Sequence, residues 1–236
     1  MVPADEIISA STLARAADAR REGVLNVDVV EGAAHAANQG RIVAAAATLR
    51  PALQGATDLR LLFLGFQFFF RTGEPDEAER LTVRRLELAE RDGQAQDVAR
   101  ACTNLGLIHL TTGRRDSARE LCRRALEIDE GLGHAEGVAR DLGNLANVVE
   151  ADGDLDRTEM LNRRALAIAE TIGAGEIAAG KLANLGDIEM SRGRADEARA
   201  LWRQAIARFE RLGLEKWRRE YEARLAMSAR AGPGDV

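Results

Sequence analysis

The sequence is poor in cysteine, proline and aromatic residues. Its 236 residues include two cysteines, Cys102 and Cys122, and four prolines, and aromatic side chains make up 4% of the total. Two cysteines cannot supply the disulfide framework of a small secreted protein. Few prolines, together with abundant Ala, Leu, Arg and Glu, favour helices over the strands of a β-sandwich or barrel. The composition therefore favours an all-helical protein.

No segment of the sequence resembles a membrane span or a secretory signal. The most apolar stretch, residues 59–70, contains Arg60 and Gln67 and falls far short of the roughly 20 residues that cross a bilayer. The N-terminus has no basic segment followed by a long apolar run, so no signal peptide is expected. We therefore expect a cytoplasmic protein that does not bind membranes.

The chain repeats itself with a period of about 40 residues, a length typical of repeat proteins. Segments that begin at residues 98, 138 and 178 align without a gap, and parts of the pattern extend back to Leu81 and Gly73. The identical columns include Ala99, Ala139 and Ala179; Asn104, Asn144 and Asn184; and Gly133, Gly173 and Gly213. At least four copies are present.

Each copy of the repeat has the pattern of two helices. Apolar residues recur at three- and four-residue steps in the first half of a copy and again in the second half. A glycine such as Gly113 or Gly133 follows each half and can end its helix. Small residues such as Gly106 and Ala118 predict that the two helices approach closely.

One motif carries a resemblance to a known family. L-x-x-L-G/A, followed by glycine seven residues on and then D-x-A-x-x-L-x-x-x-A-L, resembles the tetratricopeptide repeat, in a form of about 40 residues similar to kinesin light chain repeats. The matching segments are Leu142–Ala146, Leu182–Gly186 and the Arg-Arg-Ala-Leu stretches at 123–126 and 163–166. The resemblance implies an all-α, right-handed solenoid of antiparallel helix hairpins that acts as a protein-interaction scaffold.

The resemblance and the helical pattern together predict the domain organisation. We expect an N-terminal helix, a degenerate helix pair, four repeats, a capping helix and a disordered tail. The expected ranges are 1–22, 23–56, 57–93, 94–133, 134–173, 174–213, 214–230 and 231–236. One irregularity is that Gly65 lies eight residues before Gly73, where other copies have seven. Either the turn holds one additional residue or the helix frame is shifted.

Segments that resemble catalytic or metal-binding motifs lack residues that those motifs require. Residues 175–181 match the spacing of a phosphate-binding loop, but Leu182 follows where Ser or Thr would bind magnesium. Asp152, Asp154 and Asp156 resemble the start of a calcium loop, but arginine occupies its glycine position. The histidines lack metal-ligand spacing. No enzyme, cofactor or metal site is predicted.

The distribution of charge argues against nucleic acid as a partner. The formal net charge is −5, and the arginines alternate with acidic residues, as in Glu87 and Arg91 at i,i+4 spacing. A protein or peptide partner is expected instead.

The resemblance implies a concave groove lined by the first helix of each repeat. Asn104, Asn144 and Asn184 would then form a row of amides, each able to donate to and accept from the backbone of an extended peptide. Asparagine is unfavourable within a helix, so three in equivalent positions require a reason. The alternative is that each amide bonds a neighbouring repeat and sets the stacking.

Two further groups of side chains complete the predicted groove. Arg100 and Arg140 would suit a carboxylate, and Leu107, Asn147 and Asp187 would line the groove beside the amides. On one helix, Phe63, Phe66 and Phe70 would form an apolar anchor. The alternative for these phenylalanines is that the alanine-rich N-terminal helices cover them.

Two other functions stay open from the sequence. The phenylalanine-rich helix, or the C-terminal cap with Trp202, Trp217 and Tyr221, could form a homodimer. The repeats could also sense a signalling peptide or small molecule, which resembles the use of such repeats in bacterial regulators.

Overall fold

The computed structural model describes residues 27–230, which contain eleven α-helices and no strand. The helices are α1 (Val27–Asn38), α2 (Ile42–Leu53), α3 (Leu59–Arg71), α4 (Pro75–Arg91), α5 (Ala95–Thr111), α6 (Arg115–Gly131), α7 (Ala135–Ala151), α8 (Leu155–Thr171), α9 (Gly175–Ser191), α10 (Ala195–Arg211) and α11 (Glu215–Arg230). The predicted N-terminal helix and disordered tail lie outside the described residues. The predicted all-α, solenoid-type fold is confirmed. None of the described helices is long and apolar enough to cross a membrane.

Each helix from α5 to α10 spans 17 residues and ends at a glycine turn. After α5, Gly113 adopts a φ of 81°, which glycine reaches without steric cost. There, the Gly113 N–H donates to the Leu110 carbonyl at 3.1 Å, and the Arg114 N–H donates to the His109 carbonyl at 2.8 Å. These bonds satisfy carbonyls that the helix end would leave without donors. The chain thus reverses direction at the end of each helix.

The turn after α3 has the same construction as the later turns. The Gly73 N–H donates to the Phe70 carbonyl and the Glu74 N–H to the Phe69 carbonyl, which is the α5 pattern one repeat earlier. This turn therefore holds no additional residue, and Gly65 corresponds to Leu105 rather than to Gly106.

Glycine at position 65 has its own packing reason. A Cβ there would lie 2.5 Å from the Leu53 Cδ1 atom of α2 and 2.9 Å from the Leu81 Cδ1 atom of α4. Because α3 packs closely on both helices, a larger residue does not fit. Phe66 takes the place of Gly106, and its side chain is 6% exposed.

The contacts divide the chain into two compact units, residues up to Leu121 and residues from Cys122 onward. The core of the first unit joins alanines of α1 and α2 to the fully buried Phe68 and Phe69. In the second unit, one core cluster contains Val138, Leu142 and Ala165, and another surrounds Trp202, Phe209 and Tyr221. Both cysteines are buried and form no disulfide with each other.

The glycines of α9 provide a matched test of hairpin packing. A Cβ at Gly186 would overlap the buried Trp202 ring, whereas a Cβ at Gly180 would meet nothing within 4 Å. We expect Gly186→Ala to lower the free energy of unfolding by about 2 kcal/mol through overpacking. Gly180→Ala should raise it by about 0.5–1 kcal/mol, because alanine restricts the unfolded chain. Urea unfolding followed by circular dichroism measures both; equal effects would contradict the packing described.

Candidate functional site

In the first unit, three phenylalanines of α3 form a stacked row. The Phe63 and Phe66 ring centroids lie 5.9 Å apart, and those of Phe66 and Phe70 lie 5.6 Å apart. Phe66 is buried, whereas Phe63 and Phe70 are half-buried against the core that contains the α1 and α2 alanines. The row is therefore partly covered, and only its two outer rings remain accessible.

Arg100, Asn104 and Leu107 lie along one face of α5, because they are spaced four and three residues apart. Arg100 is exposed, and its Nη1 atom lies 3.8 Å from Asp97 Oδ1. Asn104 is half-buried, and its Nδ2 atom has no acceptor among the residues that the structure describes. This buried donor is unmatched, and it can bind a further group when the side chain turns toward the surface.

Arg85 of α4 is a buried arginine beside this face. Its Nη2 atom donates to Asp97 Oδ1 at 2.6 Å, and its guanidinium carbon lies 5.0 Å from the centroid of Phe63. Burial lowers the pKa of Arg85, and the charge of Asp97 opposes that shift. Its Nε and Nη1 atoms have no partner within the described part of the chain. Positions 125, 165 and 205 of the same column carry alanine. Arg85 is therefore a departure that the sequence shows, although it is not among the predicted groove residues.

In the second unit, the predicted residues lie on α7 and α9. Arg140 is exposed and pairs with Glu136 at 2.6 Å, one turn away on the same helix. Asn144 and Asn147 are half-buried. The Nδ2 atom of Asn184 donates to Asn162 Oδ1 of α8 at 3.4 Å. For Asn184, this bond matches the alternative in which the amide joins neighbouring repeats.

Asp187 is the centre of a polar cluster rather than an open groove carboxylate. It accepts hydrogen bonds from Trp202 Nε1 of α10 and Tyr221 Oη of α11, both at 3.0 Å, and pairs with Arg224 at 3.0 Å. Burial raises the pKa of Asp187 despite these donors. Asp187 thereby ties three helices together.

A cavity of about 230 Å³ opens beside this cluster, between α9, α10 and α11. Phe209, Trp217 and Tyr221 form its aromatic wall, and Lys181 and Asn184 contribute polar groups. Lys181 has no ion-pair partner within the described range 27–230, and burial lowers its pKa to about 8. Lys181 is not among the predicted groove residues, although it is one of only two lysines in the chain.

The histidines do not form a metal centre. The two ring nitrogens of His109 form hydrogen bonds, Nδ1 with Ser117 Oγ at 2.8 Å and Nε2 with Glu79 Oε1 at 3.1 Å. A hydrogen bond from the Arg114 guanidinium lowers the pKa of Glu79 to about 2. No group of three or more His, Cys, Asp or Glu residues in the described range could hold a metal ion.

The profile of the tetratricopeptide repeat matches two stretches of the chain, residues 97–171 and 179–212. These stretches contain the asparagine-bearing helices and their partners. The chain is a tetratricopeptide-repeat protein. No curated protein sequence is significantly similar to it.

Several solved structures of other proteins have the same fold. BtubC (BKLC) from P. vanneervenii is 21% identical, with a TM-score of 0.66 over 86% of this chain and 90% of that one. A Podosopora anserina putative kinesin light chain with nearly identical TPR-like repeats is 16% identical, with a TM-score of 0.62 over 80% and 96%. A Rap protein complexed with Competence and Sporulation Factor is 13% identical, with a TM-score of 0.63 over 96% and 77%. Likeness at these identities establishes the fold alone.

Lys181 of this tetratricopeptide-repeat protein should destabilise the fold at neutral pH. Its pKa falls from 10.5 to about 8 because burial disfavours the ammonium. That cost is complete below pH 8, and it disappears as the pH rises from 8 to 10.5, where the folded state loses the proton that the unfolded chain retains. We expect Lys181→Met to raise the free energy of unfolding by about 2 kcal/mol at pH 7.

Urea unfolding between pH 7 and pH 10.5 tests this expectation, with Lys216→Met as the control. The gain from Lys181→Met should shrink steadily above pH 8, while the exposed Lys216 should show no such trend. A Lys181→Met protein less stable than the wild type at pH 7 would refute the assignment.

Proposed function

We propose that this tetratricopeptide-repeat protein is a non-enzymatic scaffold that binds an extended peptide or partner helix through its first helices, α3, α5, α7 and α9. The observation that carries the proposal is the Asn104 amide of α5, whose Nδ2 donor has no acceptor within the described residues. A buried donor without an acceptor is costly, so a partner carbonyl that accepts from it contributes to binding.

In the first unit, the proposal uses an apolar and a polar element. The accessible rings of Phe63 and Phe70 would hold an apolar side chain, with Phe66 stacked between them. Arg100 would hold an acidic group, because its contact with Asp97 is long and exposed ion pairs contribute little to stability. Asn104 would bind the peptide backbone and Leu107 would extend the apolar surface.

In the second unit, the binding face is more polar. Asn144, Asn147 and Asn184 would contact the backbone, and Arg140 would exchange its exposed partner Glu136 for an acid on the ligand. Asp187 would act through the groups that it orients, Tyr221 and Arg224, because its oxygens already accept from its own chain.

The structural relatives support a partner of this class. One of them, the Rap protein, was solved in complex with Competence and Sporulation Factor. The resemblance that the repeats carry is to a family that serves as a scaffold, and we assign no catalytic role to the residues described.

Replacing Asn104, Asn144 and Asn184 together with alanine tests the proposal. We expect loss of partner capture, at least tenfold in the amount of bound protein, because the backbone contacts are removed. Immobilised protein, a cell extract and mass spectrometry give the measurement. Circular dichroism should show unchanged helical content.

The matched control replaces Arg123, Arg163 and Arg203 with alanine. These exposed arginines also occupy equivalent positions in successive repeats, but they lie on the second helices α6, α8 and α10. The control should capture the same partners as the wild type. Capture that survives the asparagine substitutions would refute the proposal, as would capture that fails in both variants.

A homodimer through the C-terminal helix is the second candidate function. Trp217 and Met227 of α11 are 46% and 71% exposed, although Trp202 and Tyr221 are buried and therefore cannot face another copy. Light scattering on the purified chain distinguishes the candidates, because a strict monomer would eliminate the dimer.

A further inference from the structure

At the opening of the cavity between α9, α10 and α11, a glycine stands where the preceding repeats have an arginine. Arg100 and Arg140 occupy the equivalent position in the two preceding repeats, but this repeat has Gly180. Space at Gly180 is free, since a Cβ there would meet nothing within 4 Å. The missing side chain leaves access to a cavity that an arginine would fill.

The lining of the cavity is amphipathic. Phe209, Leu214, Trp217 and Tyr221 supply apolar surface, and Lys181 and Asn184 supply polar groups. The Tyr221 hydroxyl donates to Asp187, so it has no hydrogen left for a ligand. Asn184 retains one amide N–H beyond the one that it gives to Asn162. A ligand therefore meets two donor groups and an aromatic wall.

Lys181 lacks the counter-charge that its position requires. Its ammonium lies against Gly143 of α7, where a Cβ would overlap it, and no acidic side chain in the described range pairs with it. Burial of an ammonium without an anion is costly. Lys181 also lines the cavity, so rotation of this long, flexible side chain would bring its ammonium from Gly143 to an anion bound there. Such an anion would offset the cost.

The charges and the volume limit the ligand. Glu176 also lines the cavity, and Asp187 lies behind Tyr221, so multiply charged anions such as phosphates are disfavoured. A volume of about 230 Å³ is smaller than the roughly 300–1,000 Å³ of sites for drug-sized molecules. The cavity thus fits one acid group with one small apolar group.

We propose that this cavity binds a monocarboxylic acid carried on a small apolar group, with Lys181 as the counter-ion and the aromatic wall around the apolar part. Two sources share this chemistry: a free small acid, and the last residue of a peptide with its terminal carboxylate. This proposal does not depend on the proposed scaffold function, because the residues that line the cavity belong to α9, α10, α11 and the turn before α11. The ligand needs no contact with Asn104 or Asn144.

Nuclear magnetic resonance of the full chain labelled with ¹³C-lysine tests the proposal. The chain has two lysines, Lys181 and Lys216, so two Cε signals report separately, and Lys181→Met and Lys216→Met assign them. The free-acid probe is phenylacetate, with uncharged phenylacetamide as its control. The peptide probe is acetyl-Ala-Ala-Ala-Phe, compared with its C-terminal amide.

We expect an acid to shift the Lys181 signal saturably and its amide to leave that signal in place. Tighter binding of the peptide acid identifies a chain terminus as the ligand, and equal or tighter binding of phenylacetate identifies a free acid. If neither acid shifts the Lys181 signal, or if the amides bind as tightly as the acids, the proposal is overturned.

A steric variant adds a second measurement. Gly180→Arg restores the arginine of the other repeats and should reduce the affinity for the acid at least tenfold. Ala200→Arg, on the exposed surface of α10, is the matched control and should bind like the wild type. Unchanged binding of the acid by Gly180→Arg would show that the acid does not bind in this cavity. This measurement does not depend on whether the chain captures a protein partner.

Discussion

The structure depends on the close approach of the two helices in each hairpin. Alanines at fixed columns of the repeat, such as Ala118, Ala125 and Ala139, are completely buried, because larger side chains would separate the helices. At Gly186 the approach is so close that a single methyl group would overlap the Trp202 ring. This constraint explains why a chain with few aromatic residues still forms a stable core, and why alanine and glycine recur at the same positions of successive repeats.

Several polar or charged side chains described above stand at positions where other repeats have a different residue. Arg85 replaces an alanine and brings a buried charge between Phe63 and Asp97. Trp202 replaces the smaller Cys122 and Asn162 of earlier repeats, and its indole N–H reaches Asp187. Lys181 occupies a column that holds Ala101 and Asp141. A regular scaffold makes each exception local, since the neighbouring repeats keep the backbone in place.

The fold was predictable because its signal is repeated. Several independent columns, including the glycines that end helices, specify the same hairpin in each copy, and the structure gives helices of equal length there. The frame of α3 was not predictable, because a single glycine, Gly65, fits two alignments. The hydrogen bonds of the turn at Gly73, which repeat those at Gly113, distinguish them. The site was harder still, since the donors to Asp187 come from α10 and α11, and spacing within one helix does not indicate which side chains meet across three.

Hydrogen–deuterium exchange of the full chain, with and without a captured partner, tests the central claim that the first helices form the binding face. Backbone amides in helices that contact a partner open less often and exchange more slowly. Binding should slow exchange in α3, α5, α7 and α9 and leave exchange in α6, α8 and α10 unchanged. Slower exchange confined to the second helices would contradict it.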